Sequence, residues 1–150
     1  MHLKMKKVES FYNLNYVSRD KQEKRMTGHI LIIIGAAITI IWGVAHLFPT
    51  KSVVKGFGDI SIDNKNIIAM EWIVEGVSLI FIGIIVLGVS YIDAASDTAA
   101  FVFITSAGIL IVLAIVSLFT GFKVKFLPFK LCPVLFTTSA ILILSGYALL

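Results

Sequence analysis

Cysteine, proline and charge are all scarce in this chain. Of 150 residues, one is cysteine, three are proline and 15% are charged, against 58% hydrophobic. A lone Cys132 excludes an internal disulfide, a CxxC redox pair and a cysteine-based zinc site. So little charge, with a mean hydropathy of +0.96, also excludes an ordinary soluble domain, in which about a quarter of residues are charged. The net charge of +4 comes from basic residues in the amino-terminal tail and two connecting segments. They form no groove and are not interleaved with aromatics, so no nucleic acid is expected as a partner. Membrane topology and contact with membrane lipids account for the basic excess.

What the chain has instead is long apolar runs. Four are present, at about 30–48, 67–89, 99–119 and 132–150, each close to the roughly 20 residues that cross a hydrocarbon core. The fold class expected is an all-α membrane protein, a four-transmembrane-helix antiparallel bundle over 30–150. Pro49 ends the first helix, and Pro128 and Pro133 are expected before or in the first turn of the fourth, where a missing N–H costs nothing. Ser96, Asp97 or Thr98 can cap the third helix. Asp93 and Asp97 read as a cap and a solvated turn rather than a metal site.

Residues 1–29 form a separate basic segment. It is not expected to be a cleavable signal peptide, since the apolar region and small-residue cleavage site are absent. Val8, Phe11, Tyr12 and Tyr16 recur at helical spacing beside Lys4, Lys6 and Lys7, which fits either an amphipathic helix on the membrane surface or a flexible tail. This segment holds seven Lys or Arg, and the connections on the opposite side hold six: Lys51, Lys55, Lys65, Lys123, Lys125 and Lys130. The dense cluster before the first helix favours a multi-pass protein of the cell membrane with both termini in the cytoplasm.

Within "MEWIVEG", Glu71 and Glu75 stand four residues apart inside an apolar run. His46 ends the first run, and the second begins on the same side of the membrane, so His46, Glu71 and Glu75 share one half of the bilayer whatever the orientation. Gly35, Thr39, Trp42 and His46 make one stripe on the first helix, and Glu71, Glu75 and Ser78 make another on the second. Gly35, Thr39 and Gly43 allow close approach of the two helices. The stripes are expected to face one another, with Thr137, Thr138, Ser139 and Ser145 completing a polar interior. A charge near the bilayer centre costs roughly 2.5–3.5 kcal/mol on insertion scales. Glu75 is therefore expected to be the neutral acid of the pair and Glu71 the ionised one.

Two acids held in different environments suit acid–base chemistry, a proton relay or a cation site. His46, Glu71 and Glu75 are also a conceivable metal ligand set, and the alternative is that they only fasten helices. Trp42 and Trp72, at the same depth, read as an interfacial belt or a ligand-stacking wall. His29 reads as interfacial. The 49–66 connection, with Gly56 and Gly58 as hinges and Asp59 and Asp63 as acids, reads as a lid over the cluster or an ordered loop. Its glycines match no phosphate-loop spacing, and the sequence names no cofactor.

The stretch "WGVAHLFPTKSVVKGFGDISIDNKNIIAMEWIVEGVSLIFIG", Trp42 to Gly83, resembles small four-helix membrane proteins of prokaryotes, largely uncharacterised and of the broadly DoxX-like kind. The resemblance implies a compact bundle in the cytoplasmic membrane and a link with quinone or respiratory redox systems. It transfers no active residues. A His-and-two-acids site in a four-helix bundle is also similar in outline to sterol-isomerase-type domains, a likeness of architecture alone.

Three functions follow. The first is a site for a small amphipathic or lipid-like ligand at Glu75, Glu71, His46, Trp42, Trp72, Thr39 and Ser78, which binds it or alters it by proton transfer with Glu75 as acid and Glu71 or His46 as base. The second is a proton- or cation-coupled transporter or channel subunit, for which one bundle is small and a homo-oligomer is expected. The third is an accessory or scaffold subunit of a membrane complex. No Asp, Glu, Lys, Arg or His lies between Glu75 and Asp93, which argues against a proton wire along the second helix and puts ligand binding first.

Overall fold

The computed structural model describes residues 2–123 and 127–150, with side chains over 16–123 and 129–150. These residues form five helices: α1 (His2–Leu47), α2 (Thr50–Gly56), α3 (Ile62–Asp93), α4 (Asp97–Gly121) and α5 (Leu127–Tyr147). Four of them contain segments long and apolar enough to cross a membrane, Tyr16–Leu47, Ile62–Asp93, Asp97–Gly121 and Phe129–Tyr147. Large apolar side chains such as Ile41, Phe81, Ile92 and Phe101 point outward, as lipid contact permits and water does not. The chain is an integral membrane protein with an all-α, four-span bundle.

The helices form a ring. α1 packs on α3 and α5, and α4 packs on α5 and along a narrower seam on α3. Every neighbour in the ring is thus antiparallel. Ile32, Leu79, Val86, Phe103, Leu110, Phe136 and Ile143 fill the centre with essentially no exposure. The seams around α1 use small residues. A Cβ on Gly43 would lie 2.7 Å from the Gly76 carbonyl oxygen, and one on Gly28 2.6 Å from that of Gly146. Without a hydrophobic force between helices in lipid, such backbone proximity supplies the packing.

Several boundaries differ from the sequence reading. The 49–66 connection is largely helical: α2 packs against α3, and only a short turn separates them. In that turn Gly58 has a φ of 73°, a conformation glycine takes without a Cβ clash. α3 starts at Ile62 rather than Ile67, because Ser61 caps it by accepting from the Asn64 amide at 3.2 Å. α4 begins as expected, with the Ser96 hydroxyl accepting from the Ala99 amide at 3.2 Å. Asp93 Oδ1 closes the preceding turn on the Ala95 amide.

α5 starts at Leu127, so Pro128 occupies its first turn but Pro133 lies inside the helix. Pro133 has no N–H for the Phe129 carbonyl one turn back. That oxygen lies against Gly121 at the end of α4, 2.6 Å from where a Cβ would stand. The glycine admits the carbonyl where a Cβ would clash with it. At the other end of the chain, α1 runs unbroken for 46 residues, so residues 2–29 are helical and continuous with the first span. The side chains of Val8, Phe11 and Tyr12, and residue Lys125, lie outside what is described; Tyr16 is exposed.

Candidate functional site

The last turn of α1 leaves carbonyls with no helical partner, and here they acquire specific ones. The Trp72 indole N–H of α3 donates to the His46 carbonyl. The Thr50 hydroxyl, at the start of α2, reaches the Leu47 carbonyl at 3.1 Å and the His46 carbonyl at 3.4 Å. α1 is thereby tied off by both following helices at His46. Gly76 makes room for this: a Cβ there would stand 3.2 Å from the His46 Cβ and 2.9 Å from a Leu47 methyl.

The His46 side chain is 4% exposed. Trp42 meets it edge-on at 5.2 Å, Trp72 lies tilted over it at 4.9 Å, and Phe129 of α5 extends the aromatic series at 5.2 Å from Trp72. Nδ1 is 2.9 Å from the Trp42 carbonyl. A carbonyl only accepts, so Nδ1 carries the proton. Nε2 then faces Glu75, with Oε1 at 3.7 Å. Between them Nε2 and the carboxyl can hold one proton with no net charge, as neutral imidazole and acid or as an ion pair. The Glu75 side chain is 35% exposed, at the edge of the bundle rather than sealed in its core.

What Glu75 faces is a groove of about 420 Å³, whose lining includes Glu71, Ser78, Trp72, Val53 of α2, Phe57 just after that helix, and Phe129 of α5. It runs along α3, with Val53 of α2, Leu113 of α4 and Phe129 of α5 on its other walls. The buried stripe of α3 is Trp72, Gly76, Leu79, Gly83, Val86 and Ser90. Glu71, Glu75 and Ser78 each precede a member of that stripe by one residue, about 100° around the helix. They consequently line the groove instead of entering the α1 seam.

The structure therefore divides the residues singled out above. His46, Glu75, Trp42 and Trp72 come together, and Glu71 and Ser78 are exposed in the adjoining groove. Thr39 is not part of the cluster: buried two turns away, it donates to its own Gly35 carbonyl at 2.9 Å. Gly35 faces Ser139 and Leu142 of α5, not α3, so the stripe on α1 divides between two neighbours. Of the polar residues of α5, Ser139 is buried, but Thr137, Thr138 and Ser145 are exposed and complete no polar interior. Glu71 does not join His46 and Glu75 as a third ligand. Among the described residues no group of three or more His, Cys, Asp or Glu could hold a metal ion.

Phe129, Phe57, Val53 and Cys132 were not foreseen. Cys132 is buried, and its thiol interacts with the Trp42 indole, whose N–H has no oxygen or nitrogen acceptor among the described residues. No sequence spacing signals a contact of this kind between the first and last helices. A second, larger groove of about 640 Å³ opens between α4 and α5 beside Pro133, Thr137 and Thr138. Among its described lining there is no ionisable group. No family model, curated protein or solved structure matches this chain.

Proposed function

We propose that this membrane protein binds a small amphipathic, lipid-like molecule in the α3 groove, its polar head at Glu75, Glu71 and Ser78 and its apolar body against Trp72, Phe57 and Phe129. The observation that carries this reading is the groove itself. Its volume falls in the range of small-molecule sites, and it combines mostly apolar walls with a few convergent polar groups. His46 backs the site with a ring whose orientation is fixed by the Trp42 carbonyl. We place the protein in the cell membrane with both termini cytoplasmic, and among broadly DoxX-like bundles, on the sequence features that suggested each.

Transport is the weaker reading. Beyond Ser78 the bundle centre is filled mostly by fully buried apolar side chains, Leu79, Phe103, Leu110 and Phe136 among them. Its buried polar groups among the described residues are hydroxyls such as Ser90, Ser106 and Ser139, with no buried Asp, Glu, Lys, Arg or His. The test is native mass spectrometry of wild type and Glu75→Gln released from the same membranes. Wild type carries an amphipathic mass that the variant loses. Two equally empty and equally stable proteins would contradict the reading.

A further inference from the structure

We propose that the molecule taken up by the α3 groove is cationic: an amphipathic amine, in preference to a fatty acid or an uncharged alcohol of the same chain. The inference rests on the groove being a binding site and names the chemistry of its ligand.

Charge balance along the groove carries it. Glu71 and Glu75 both line the groove, and no lysine or arginine is among its described lining residues. Lys51, Lys55, Lys65 and Lys130 are on the surrounding helices, exposed or half-buried, and none of them lines it. Among the described residues the potential cation paired with either acid is His46, and both of its ring nitrogens are committed. Nδ1 is held by the Trp42 carbonyl, and Nε2 faces Glu75 at 3.7 Å. Since one proton satisfies the His46–Glu75 pair, Glu71 is left as an uncompensated carboxylate, and it has no ion-pair partner among the described residues.

Like charge is excluded by the same balance. A fatty acid would set its carboxylate against Glu71 beside apolar walls, where repulsion is screened far less than in water. An ammonium meets attraction from Glu71, and Glu75, one helical turn away and on the groove lining where His46 is not, offers it an acceptor oxygen. It also meets the aromatic faces of Trp72, Phe57 and Phe129 on the same lining, which attract cations through their ring quadrupoles. An alcohol can donate a hydrogen bond to a carboxylate but gains neither of the charge terms.

The experiment titrates wild-type protein in uncharged lipid nanodiscs with dodecylamine, dodecanol and dodecanoate, reading tryptophan fluorescence, since Trp72 lines the groove. Glu71→Gln and Glu75→Gln are titrated in parallel. The amine is expected to bind at least about tenfold more tightly than dodecanoate, and each substitution is expected to reduce that preference. Glu71→Gln removes a side chain with no ion-pair partner among the described residues, so it gives an answer even where Glu75→Gln loses stability. Equal or tighter binding of dodecanoate, or a preference for the amine unchanged in both variants, overturns the inference while leaving the groove a site. Wild type that responds to none of the three overturns the binding reading as well.

Discussion

Replacing Gly76 with alanine tests the seam on which the site depends. The new Cβ would stand 2.8 Å from the Gly43 carbonyl oxygen, 2.9 Å from Leu47 Cδ2 and 3.2 Å from His46 Cβ. Real Cβ atoms essentially never come within 3.0 Å of another group, and a backbone carbonyl cannot rotate aside as a side-chain tip can. α1 must therefore shift by a few tenths of an ångström at the turn that carries His46. Overpacking of this kind costs about 1–3 kcal/mol, while alanine gains about 0.8–1 kcal/mol over glycine in a helix. The difference predicts a net loss of about 1 kcal/mol, rising to about 2 kcal/mol if the seam is rigid. Gly108→Ala is the control, because nothing lies within 4 Å of a Cβ there, and only the gain of about 0.5–1 kcal/mol should remain. Reversible unfolding of the three proteins by SDS titration in one detergent supplies the numbers. The reasoning fails if Gly76→Ala is as stable as Gly108→Ala.

Further outcomes follow from the same contacts. Gly43→Ala combined with Gly76→Ala should be non-additive by at least about 0.5 kcal/mol, since each Cβ targets the other residue's carbonyl; a double-mutant cycle measures the coupling. Trp72→Phe keeps a ring against His46 but loses the bond to its carbonyl, and should cost about 1 kcal/mol in the same unfolding assay. Ser96→Ala removes the cap of α4 and should cost about 0.5–2 kcal/mol, again by unfolding. Nitrogen-15 spectra of the imidazole should show His46 protonated at Nδ1; a bare Nδ1 would contradict the bond to the Trp42 carbonyl.

The spans were legible because the length of an apolar run is set by bilayer thickness, and the sequence marks it directly. The meeting of His46 with Glu75 was legible for a related reason. Antiparallel topology places the end of one run beside the start of the next before any packing is known. Rotation of α3 was not legible. A stripe of Glu71, Glu75 and Ser78 and one of Trp72, Gly76 and Leu79 are offset by a single residue. The choice between them is made by Gly43 meeting Gly76 across the seam, a tertiary contact. α2 escaped because seven residues rarely form a stable helix alone; it is held by packing on α3, with Val53 buried. Pro133 was read as a terminus because proline disfavours helix interiors, and the glycine that receives the affected carbonyl lies in another helix.

The most direct test of the central claim is where a photoreactive alkyl lipid probe attaches in native membranes. Adducts mapped by peptide mass spectrometry are predicted to concentrate on the groove lining of α2 and α3 and at Phe129, to be displaced by excess unlabelled amphiphile, and to fall in Glu75→Gln. Adducts spread evenly over all lipid-facing helices, the α4–α5 groove included, and indifferent to competitor and substitution, would contradict it.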